Sequence, residues 1–193
     1  MRTAASWQHA PASYMIAEIG WFPWVAQQLP LKSGDRVLDI GYGPGWFWAA
    51  TAASLPDNLD LTLADLSQGM VQEAVERCTA LPFGSVTGRQ ADAATLPFAN
   101  DSFDAVIAMH MFYHLPDPFK AIAEMYRVLK PGGFVAVTTN GADNMRKLYE
   151  LTTAFGSPPY DPAGSAFGFD AAERLMQTQF GNVRITEHPA HLR

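Results

Sequence analysis

Short apolar runs alternate with segments of helical periodicity along most of the chain. Runs rich in Val, Ile, Leu, Thr and Phe predict β-strands over residues 36–40, 59–64, 85–91, 103–109, 134–139 and 183–187. Apolar positions three or four residues apart predict helices over 46–54, 67–80 and 118–129. Strands that alternate with helices build a mostly parallel sheet with helices on both faces. The pattern therefore predicts a doubly wound α/β fold.

Composition narrows the class of protein further. The 193 residues suffice for one domain with a substantial core, and 48% hydrophobic against 17% charged residues excludes a disordered chain. A net charge of −6 without runs of like charge argues against a nucleic-acid partner. The single cysteine, Cys78, can form neither an internal disulfide nor a thiolate metal site, which favours a reducing compartment. We find no signal peptide or membrane span and expect a soluble, cytoplasmic protein.

The sequence VLDIGYGPGW at 37–46 runs from a predicted strand through alternate glycines into a predicted helix. In an open parallel sheet such a first loop lies where ligands bind. A dinucleotide fingerprint would require a third glycine at Trp46, and a phosphate-binding loop would require a following Gly-Lys-Ser/Thr. Asp39, two residues before the first glycine, would repel a pyrophosphate but suits a cationic ligand. Phosphate binding is therefore disfavoured.

An aspartate lies near the end of each of the first three predicted strands: Asp39, Asp65 and Asp92. Asp65 lies about 20 positions past the glycine loop, the spacing at which a carboxylate accepts from ribose hydroxyls. Each aspartate alone is more often a turn former or helix cap, and Asp65 could simply precede a capping Ser67. Together with the glycine loop, the three predict a ligand site at the carboxyl ends of the strands.

These motifs resemble those of class I S-adenosylmethionine-dependent methyltransferases, closest to the UbiE-like small-molecule branch, over residues 31–140. The resemblance implies a Rossmann-like sheet, S-adenosylmethionine as cofactor, and methyl transfer to a small acceptor. It implies that Asp39 contacts the methionine ammonium, directly or through water, that Asp65 binds the ribose and that Asp92 binds the adenine amino group. The remaining implied cofactor residues are Gly41, Tyr42, Gly43, Gly45, Leu66, Met70, Ala93 and Met109. The family commonly has cysteine at the position of Tyr42.

The acceptor side is predicted from the segment 110–115, HMFYHL, which leaves the fourth predicted strand at the ligand edge. His110 is a candidate for acceptor orientation or general base, or has a purely structural role. If the segment is helical, His110 and His114 share one face. No acidic or cysteine partner completes a metal set, so we expect no metal site and interpret His114 mainly as a buried anchor, less as a catalytic residue. Tyr113 is a weaker acceptor candidate.

The two ends of the chain differ from the central part. Residues 1–30 hold several aromatic side chains, and family members use this region as a lid, so Trp7 and Tyr14 are substrate-pocket candidates over a methyltransferase domain at 31–193. Relative to the family, that domain is expected to be truncated, with an incomplete C-terminal strand hairpin. A free sheet edge could then pair with a second copy. The sequence SPPY at 157–160 lies too late for an amino-methyltransferase signature and is interpreted as a turn.

Three functions remain open from the sequence. The first is methyl transfer to an O, C or N atom of a small, apolar or aromatic molecule. The second is a non-catalytic module that binds S-adenosylmethionine or S-adenosylhomocysteine, and the third is a nicotinamide-dependent oxidoreductase, which Trp46 and Asp39 disfavour.

Overall fold

The computed structural model describes residues 15–16, 19–141, 144–188 and 191–192. Its main element is a five-stranded parallel sheet in the order β4-β3-β2-β5-β6. The strands are β2 (Arg36–Ile40), β3 (Asp60–Asp65), β4 (Ser85–Gln90), β5 (Phe103–Met109) and β6 (Leu129–Thr138). A separate antiparallel pair joins β1 (Met15–Ile16) to β7 (His191–Leu192). The predicted doubly wound α/β fold is confirmed.

Helices cover both faces of this sheet, as the alternating pattern predicts. In chain order they are α1 (Trp21–Gln28), α2 (Trp46–Thr51), α3 (Gln68–Thr79), α4 (Pro118–Val128), α5 (Arg146–Thr152), α6 (Pro162–Phe167) and α7 (Phe169–Phe180). One apolar cluster contains buried residues of α1, α2 and α3, and the other contains buried residues of α4, α6 and α7. None of the helices described is both long and apolar enough to cross a lipid bilayer.

Successive residues of β2 point to opposite faces, and this alternation decides where its one carboxylate lies. Val37 belongs to the cluster beside α1–α3, whereas Leu38 and Ile40 belong to the other. Asp39 therefore points toward the α1–α3 side, into a region otherwise filled with apolar side chains. Residues 37–40 are all buried, as expected for a central strand that is covered on both faces of the sheet.

Two predicted strands differ from the structure at the end of the sheet. Strand β6 begins at Leu129 rather than at 134, because residues 131–133 form an irregularity within it instead of a turn before it. The strand predicted at 183–187 is wrong, since this segment has neither helical nor strand structure. Its alternating apolar residues, Val183 and Ile185, line a groove beside β6 rather than pairing with it. In the described part of the chain, the sheet therefore ends at β6.

Candidate active site

The loop between β2 and α2 carries glycines whose backbone lies in the left-handed region. Gly41, Gly43 and Gly45 have φ angles of 67°, 58° and 78°, which other residues adopt only at a cost. A Cβ atom on Gly41 would lie 2.8 Å from Cβ of Met111, and one on Gly45 would lie 3.1 Å from Cβ of Ala74. A Cβ atom on Gly43 would meet nothing within 4 Å. The outer glycines therefore allow close packing, whereas Gly43 faces space that a ligand can occupy.

An arginine of α3 fixes this loop from the side. The guanidinium of Arg77 donates to the carbonyl of Pro44 and lies 3.8 Å from the ring centroid of Trp46. It also bonds Glu73, one turn earlier on the same helix, at 3.1 Å. Trp46, which occupies the third position of a dinucleotide fingerprint, is thus part of the packing that holds the loop. No motif in the sequence pointed to Arg77.

Asp39 is a fully buried carboxylate at the entrance to the loop. Its Oδ2 accepts a hydrogen bond of 2.6 Å from Nε1 of Trp48, while its buried Oδ1 has no partner among the described residues. The pKa of Asp39 is raised to about 8, chiefly by burial; the hydrogen bond from Trp48 opposes this rise, and the nearby charge of Asp65 contributes to it. At neutral pH the carboxyl is therefore largely protonated, and a nearby cation would favour its ionised form.

Backbone hydrogen bonds bring the carboxyl ends of neighbouring strands together. The N–H of Gly41 donates to the carbonyl of Ala64 at 2.8 Å, and that of Ala91 donates to the carbonyl of Asp65 at 3.0 Å. The side chain of Asp65 accepts a hydrogen bond from the N–H of Ser67 through Oδ1 at 2.8 Å. Asp65 therefore lies beside the glycine loop and also shapes the turn into α3, where Ser67 caps the helix as predicted.

Asp92 lies after β4 and also forms a turn. Its Oδ1 accepts from the N–H of Ala94 at 2.8 Å, the same short-range pattern as in Asp65. The turn-forming interpretation is thus correct for both aspartates. In both turns, the Oδ2 atom of the aspartate has no hydrogen bond to any residue that the structure describes. Asp65 and Asp92 can therefore form their turns and bind a ligand at the same time. Ala93, between the turn residues, is buried.

The other predicted cofactor residues occupy different environments around the loop. Tyr42 is buried in the core cluster beside α1–α3, and its hydroxyl has no partner in the described chain. Burial raises the pKa of its phenol, and the charges of Asp65 and Asp39 raise this pKa further. Leu66 is 71% exposed directly after β3. Met70 and Met109 are partly buried. Their contacts with a cofactor stay predictions.

His110 follows β5 in a left-handed conformation, with a φ of 51°. Its N–H donates to the carbonyl of Thr138 at 3.0 Å, and its ring centroid lies 5.3 Å from that of Trp21. Burial lowers the pKa of His110, and the charge of Asp161 partly offsets this change. The neutral imidazole, which can accept a proton, is therefore the favoured form at neutral pH. Its role as a base or in acceptor orientation stays a prediction.

His114 does not have the position that the sequence suggested. Only 112–114 form a short 3-10 turn, and His110 precedes that turn, so the two histidines do not share a helical face. His114 is exposed, which contradicts its interpretation as a buried anchor, and its ring lies 4.6 Å from that of Tyr113. Burial and the charge of Asp161 raise the pKa of Tyr113. No three His, Cys, Asp or Glu residues converge as metal ligands within the described ranges.

A groove of about 1040 Å³ extends from His110 along β6. Trp21 and Trp24 form one wall together with the segment 182–188, and residues of α7 including Met176 form another.

Trp7 and Tyr14, the predicted substrate residues, lie outside the described residues. Within the predicted lid, Val25 and Ala26 of α1 are buried in the main core, so this helix is also part of the domain's packing.

The fold and this site together define an α/β protein of the Rossmann-like methyltransferase class, with a glycine loop and strand-end carboxylates at its ligand edge. Residues 38–137 match the family model described as "Methyltransferase domain". The chain belongs to this family, and its resemblance to the class I, UbiE-like branch is confirmed.

Individual relatives show the range of this family. Over 117 residues the chain is 35% identical to a demethylmenaquinone methyltransferase of Desulfitobacterium hafniense (60% of this chain, 46% of that one). The crystal structure of the [4+2]-cyclase SpnF is 34% identical with a TM-score of 0.53, covering 60% of this chain and 42% of that one. Phosphoethanolamine N-methyltransferase 2 of Haemonchus contortus, in complex with S-adenosyl-L-methionine, is 26% identical with a TM-score of 0.58 (81% and 35% covered). The chain spans about half the length of the curated relatives it matches.

Proposed function

We propose that this protein binds S-adenosylmethionine across the carboxyl ends of β2, β3 and β4 and transfers its methyl group to a small acceptor. Asp65 would accept from the ribose hydroxyls, Asp92 from the adenine amino group, and the loop at 41–45 would pass beneath the ligand. When bound, this cofactor supplies an electrophilic methyl group on a sulfonium. The reaction is an in-line displacement, so the protein's part is to align the acceptor and exclude water.

The single observation that carries this proposal is the unpartnered, buried Oδ1 of Asp39 beside the glycine loop. A buried carboxyl without a partner is costly, and a cation in its neighbourhood offsets that cost. The methionine part of the cofactor carries both an ammonium and a sulfonium. A pyrophosphate would add negative charge beside Asp39 and Asp65. Because Oδ1 is enclosed, the ammonium would act on Asp39 through a bridging water, or directly if the loop moves.

The acceptor is proposed to be a small apolar or aromatic molecule, methylated at O, C or N. The groove that starts at His110 is large enough for such a molecule, since ligand pockets commonly measure about 300–1,000 Å³. Tryptophans in its wall favour an aromatic ligand. A neutral His110 can take a proton from an acceptor that must lose one. The relatives named above include a quinone and an amine methyltransferase, which agrees with a small-molecule acceptor.

A second candidate function is binding of the S-adenosyl ligand without methyl transfer. The observation that favours it is the 34% identity to a solved structure named as a cyclase rather than a methyltransferase. A nicotinamide-dependent oxidoreductase is the weaker alternative. Trp46 occupies the position of the third glycine in a dinucleotide-binding loop, and the carboxyl group of Asp39 would lie close to the pyrophosphate.

Two measurements separate these functions. Calorimetry with S-adenosylhomocysteine and with NAD is expected to show binding of the first and none of the second. A methyl-release assay with S-adenosylmethionine and a panel of phenols, quinones and amines is expected to show turnover with at least one acceptor. Binding of NAD alone would overturn the proposal, and cofactor binding without turnover across the panel would favour the non-catalytic module. Cytoplasmic location and pairing of two copies through β6 stay predictions.

Replacing Asp65 tests the ribose contact. We expect Asp65→Ala to weaken S-adenosylhomocysteine binding by about 1–3 kcal/mol, since the hydroxyls lose a charged acceptor. Asp60→Ala is the matched control, because Asp60 lies at the opposite end of the same strand and its loss changes the net charge equally. Calorimetric affinity should fall about 5- to 150-fold in the first variant only. Equal affinities in both variants would exclude Asp65 from the site.

The lid hypothesis needs a deletion that spares the core. Removing residues 1–30 would also remove the buried Val25 and Ala26, so removal of 1–18 is the sharper change. If the first residues cover the acceptor, the shortened protein should bind S-adenosylhomocysteine normally but lose turnover in the acceptor assay. An unchanged rate would refute the lid and the substrate roles of Trp7 and Tyr14.

A further inference from the structure

Asp161 is a buried carboxylate that the site described so far does not use. It is 5% exposed, and its Oδ2 accepts from the side-chain amides of Asn140 at 2.8 Å and Asn144 at 2.7 Å. Its Oδ1 accepts from the N–H of Ala163 at 2.9 Å and from the hydroxyl of Tyr149 at 3.4 Å. Burial alone would raise the pKa of Asp161, but these hydrogen bonds, led by that of Asn144, hold it below its ordinary value. The group is therefore ionised at neutral pH.

These bonds join three parts of the chain. Asn140 and Asn144 follow the end of β6, Tyr149 belongs to α5, and Asp161 is the N-cap of α6. Three of the four donors lie outside α6, and they restrain the relative positions of these segments because their bonds to Asp161 are lost if one segment moves. The cluster of Asp161, Asn140, Asn144 and Tyr149 is called here the Asp161 clasp.

The clasp connects to the turn that carries His110 through two contacts. The ring of Phe167, at the end of α6, stacks on Phe112 with 4.7 Å between centroids. The hydroxyl of Thr139 donates to the carbonyl of Phe167, and the neighbouring Thr138 accepts from the N–H of His110. The segment after β5 is therefore braced on one side by α6 and on the other by the end of β6.

The charge of Asp161 also reaches this turn. It opposes the effect of burial on the pKa of His110 and adds to the rise in the pKa of Tyr113. Other ionisable side chains that line the groove with His110 are Glu173, Arg184, Glu187 and His188. Unlike Asp161, none of these is buried.

We propose that Asp161 is a positioning residue of the acceptor site, which holds the β6 end and α6 against the turn of His110 and places a negative charge near its imidazole. The inference rests on the proposed function, because only that function gives His110 a role in taking a proton from the acceptor. It assigns Asp161 a role through His110 and not a contact with the acceptor.

The test uses Asp161→Asn, with Asp170→Asn as its matched control. Asp170 is exposed in the first turn of α7, so its substitution makes the same charge change outside the clasp. The titration of His110 is followed by NMR of histidine-labelled protein, with His110→Gln to assign the signal. We expect the pKa of His110 to fall further in Asp161→Asn and to stay unchanged in Asp170→Asn. The acidic limb of the methyl-transfer pH profile should move in the same direction.

The outcomes separate the clasp from a purely structural role. A folded Asp161→Asn protein with an unchanged His110 titration would overturn the proposal, even if its unfolding free energy were lower. If that variant does not fold, Asn144→Ala keeps the charge and removes one donor. Hydrogen exchange of the His110 amide should then become faster than in Asp170→Asn, and equal rates would contradict the bracing. The NMR and exchange readouts need no turnover, so they stand even if methyl transfer is not found.

Discussion

Gly43→Val is expected to remove detectable binding of S-adenosylhomocysteine while the protein remains folded. The position has a φ of 58°, and its missing side chain leaves a space with no protein atom within 4 Å. If the cofactor passes over this loop, the Val methyl groups would occupy the same volume. We expect a loss of at least 100-fold in calorimetric affinity, equivalent to about 3 kcal/mol. The left-handed backbone adds a separate cost of about 1–2 kcal/mol to folding.

Gly34→Val controls for that backbone cost. Gly34 has a φ of 82°, no atom lies within 4 Å of its missing Cβ, and it precedes β2 at the end of the strand away from the glycine loop. Both variants should lose similar unfolding free energy in urea, and only Gly43→Val should lose the ligand. Normal affinity in Gly43→Val would show that the ligand does not approach the loop, and the cofactor site would have to lie elsewhere.

Asp39→Asn is expected to stabilise the ligand-free protein at neutral and alkaline pH and to weaken its binding of the cofactor. A carboxyl whose folded pKa is about 8, against 3.8 in the unfolded chain, holds its proton more tightly in the folded state. The unfolding free energy therefore falls as pH rises from about 4 to about 8, by on the order of 4 kcal/mol between pH 4 and 7. The asparagine amide of the variant does not ionise, so burial imposes no pH-dependent cost on it, and its oxygen can still accept from Trp48. The variant should therefore not show this decline in stability.

Urea unfolding from pH 5 to 9 measures this effect, with Asp35→Asn as a control at a partly buried position just before β2. The wild type and the control should lose stability with rising pH, and Asp39→Asn should lose much less. Affinity for S-adenosylhomocysteine should rise with pH toward 8 in the wild type, because binding favours the ionised carboxylate, and be lower and flatter in Asp39→Asn. Parallel stability curves for all three proteins would refute the raised pKa of Asp39.

The central part of the fold could be predicted because local pattern and global topology agree there. Strands β2 and β5 match their predicted bounds, since buried apolar runs bounded by turn residues have few other solutions in an α/β chain. The position of the glycine loop and the proximity of Asp39 to Asp65 follow from the rule that parallel strands end at one edge of the sheet. Both are properties of short sequence segments.

The residues that the sequence did not reveal act through contacts between different structural elements. Trp48 of α2 packs in the core and donates a hydrogen bond to Asp39. Arg77 of α3 donates a hydrogen bond to the carbonyl of Pro44. Asp161 had one local signal, since it precedes Pro162 as an N-cap residue does, but nothing in that signal indicates its asparagine partners. In the segment 183–187, by contrast, the local pattern was misleading. Its alternating apolar and polar residues fit a strand, but the segment does not pair with the neighbouring edge of the sheet.

The bond between Trp48 and Asp39 also gives this protein an internal optical reporter. The indole has no exposed surface, and its Nε1 lies 2.6 Å from an oxygen of a carboxyl group whose charge changes near pH 8. In a medium of low polarity, a charge appearing at that distance exerts a strong field on the ring and shifts the energy of its excited state. The emission of Trp48 therefore carries information on whether the innermost acid of the site holds its proton, without any label being attached.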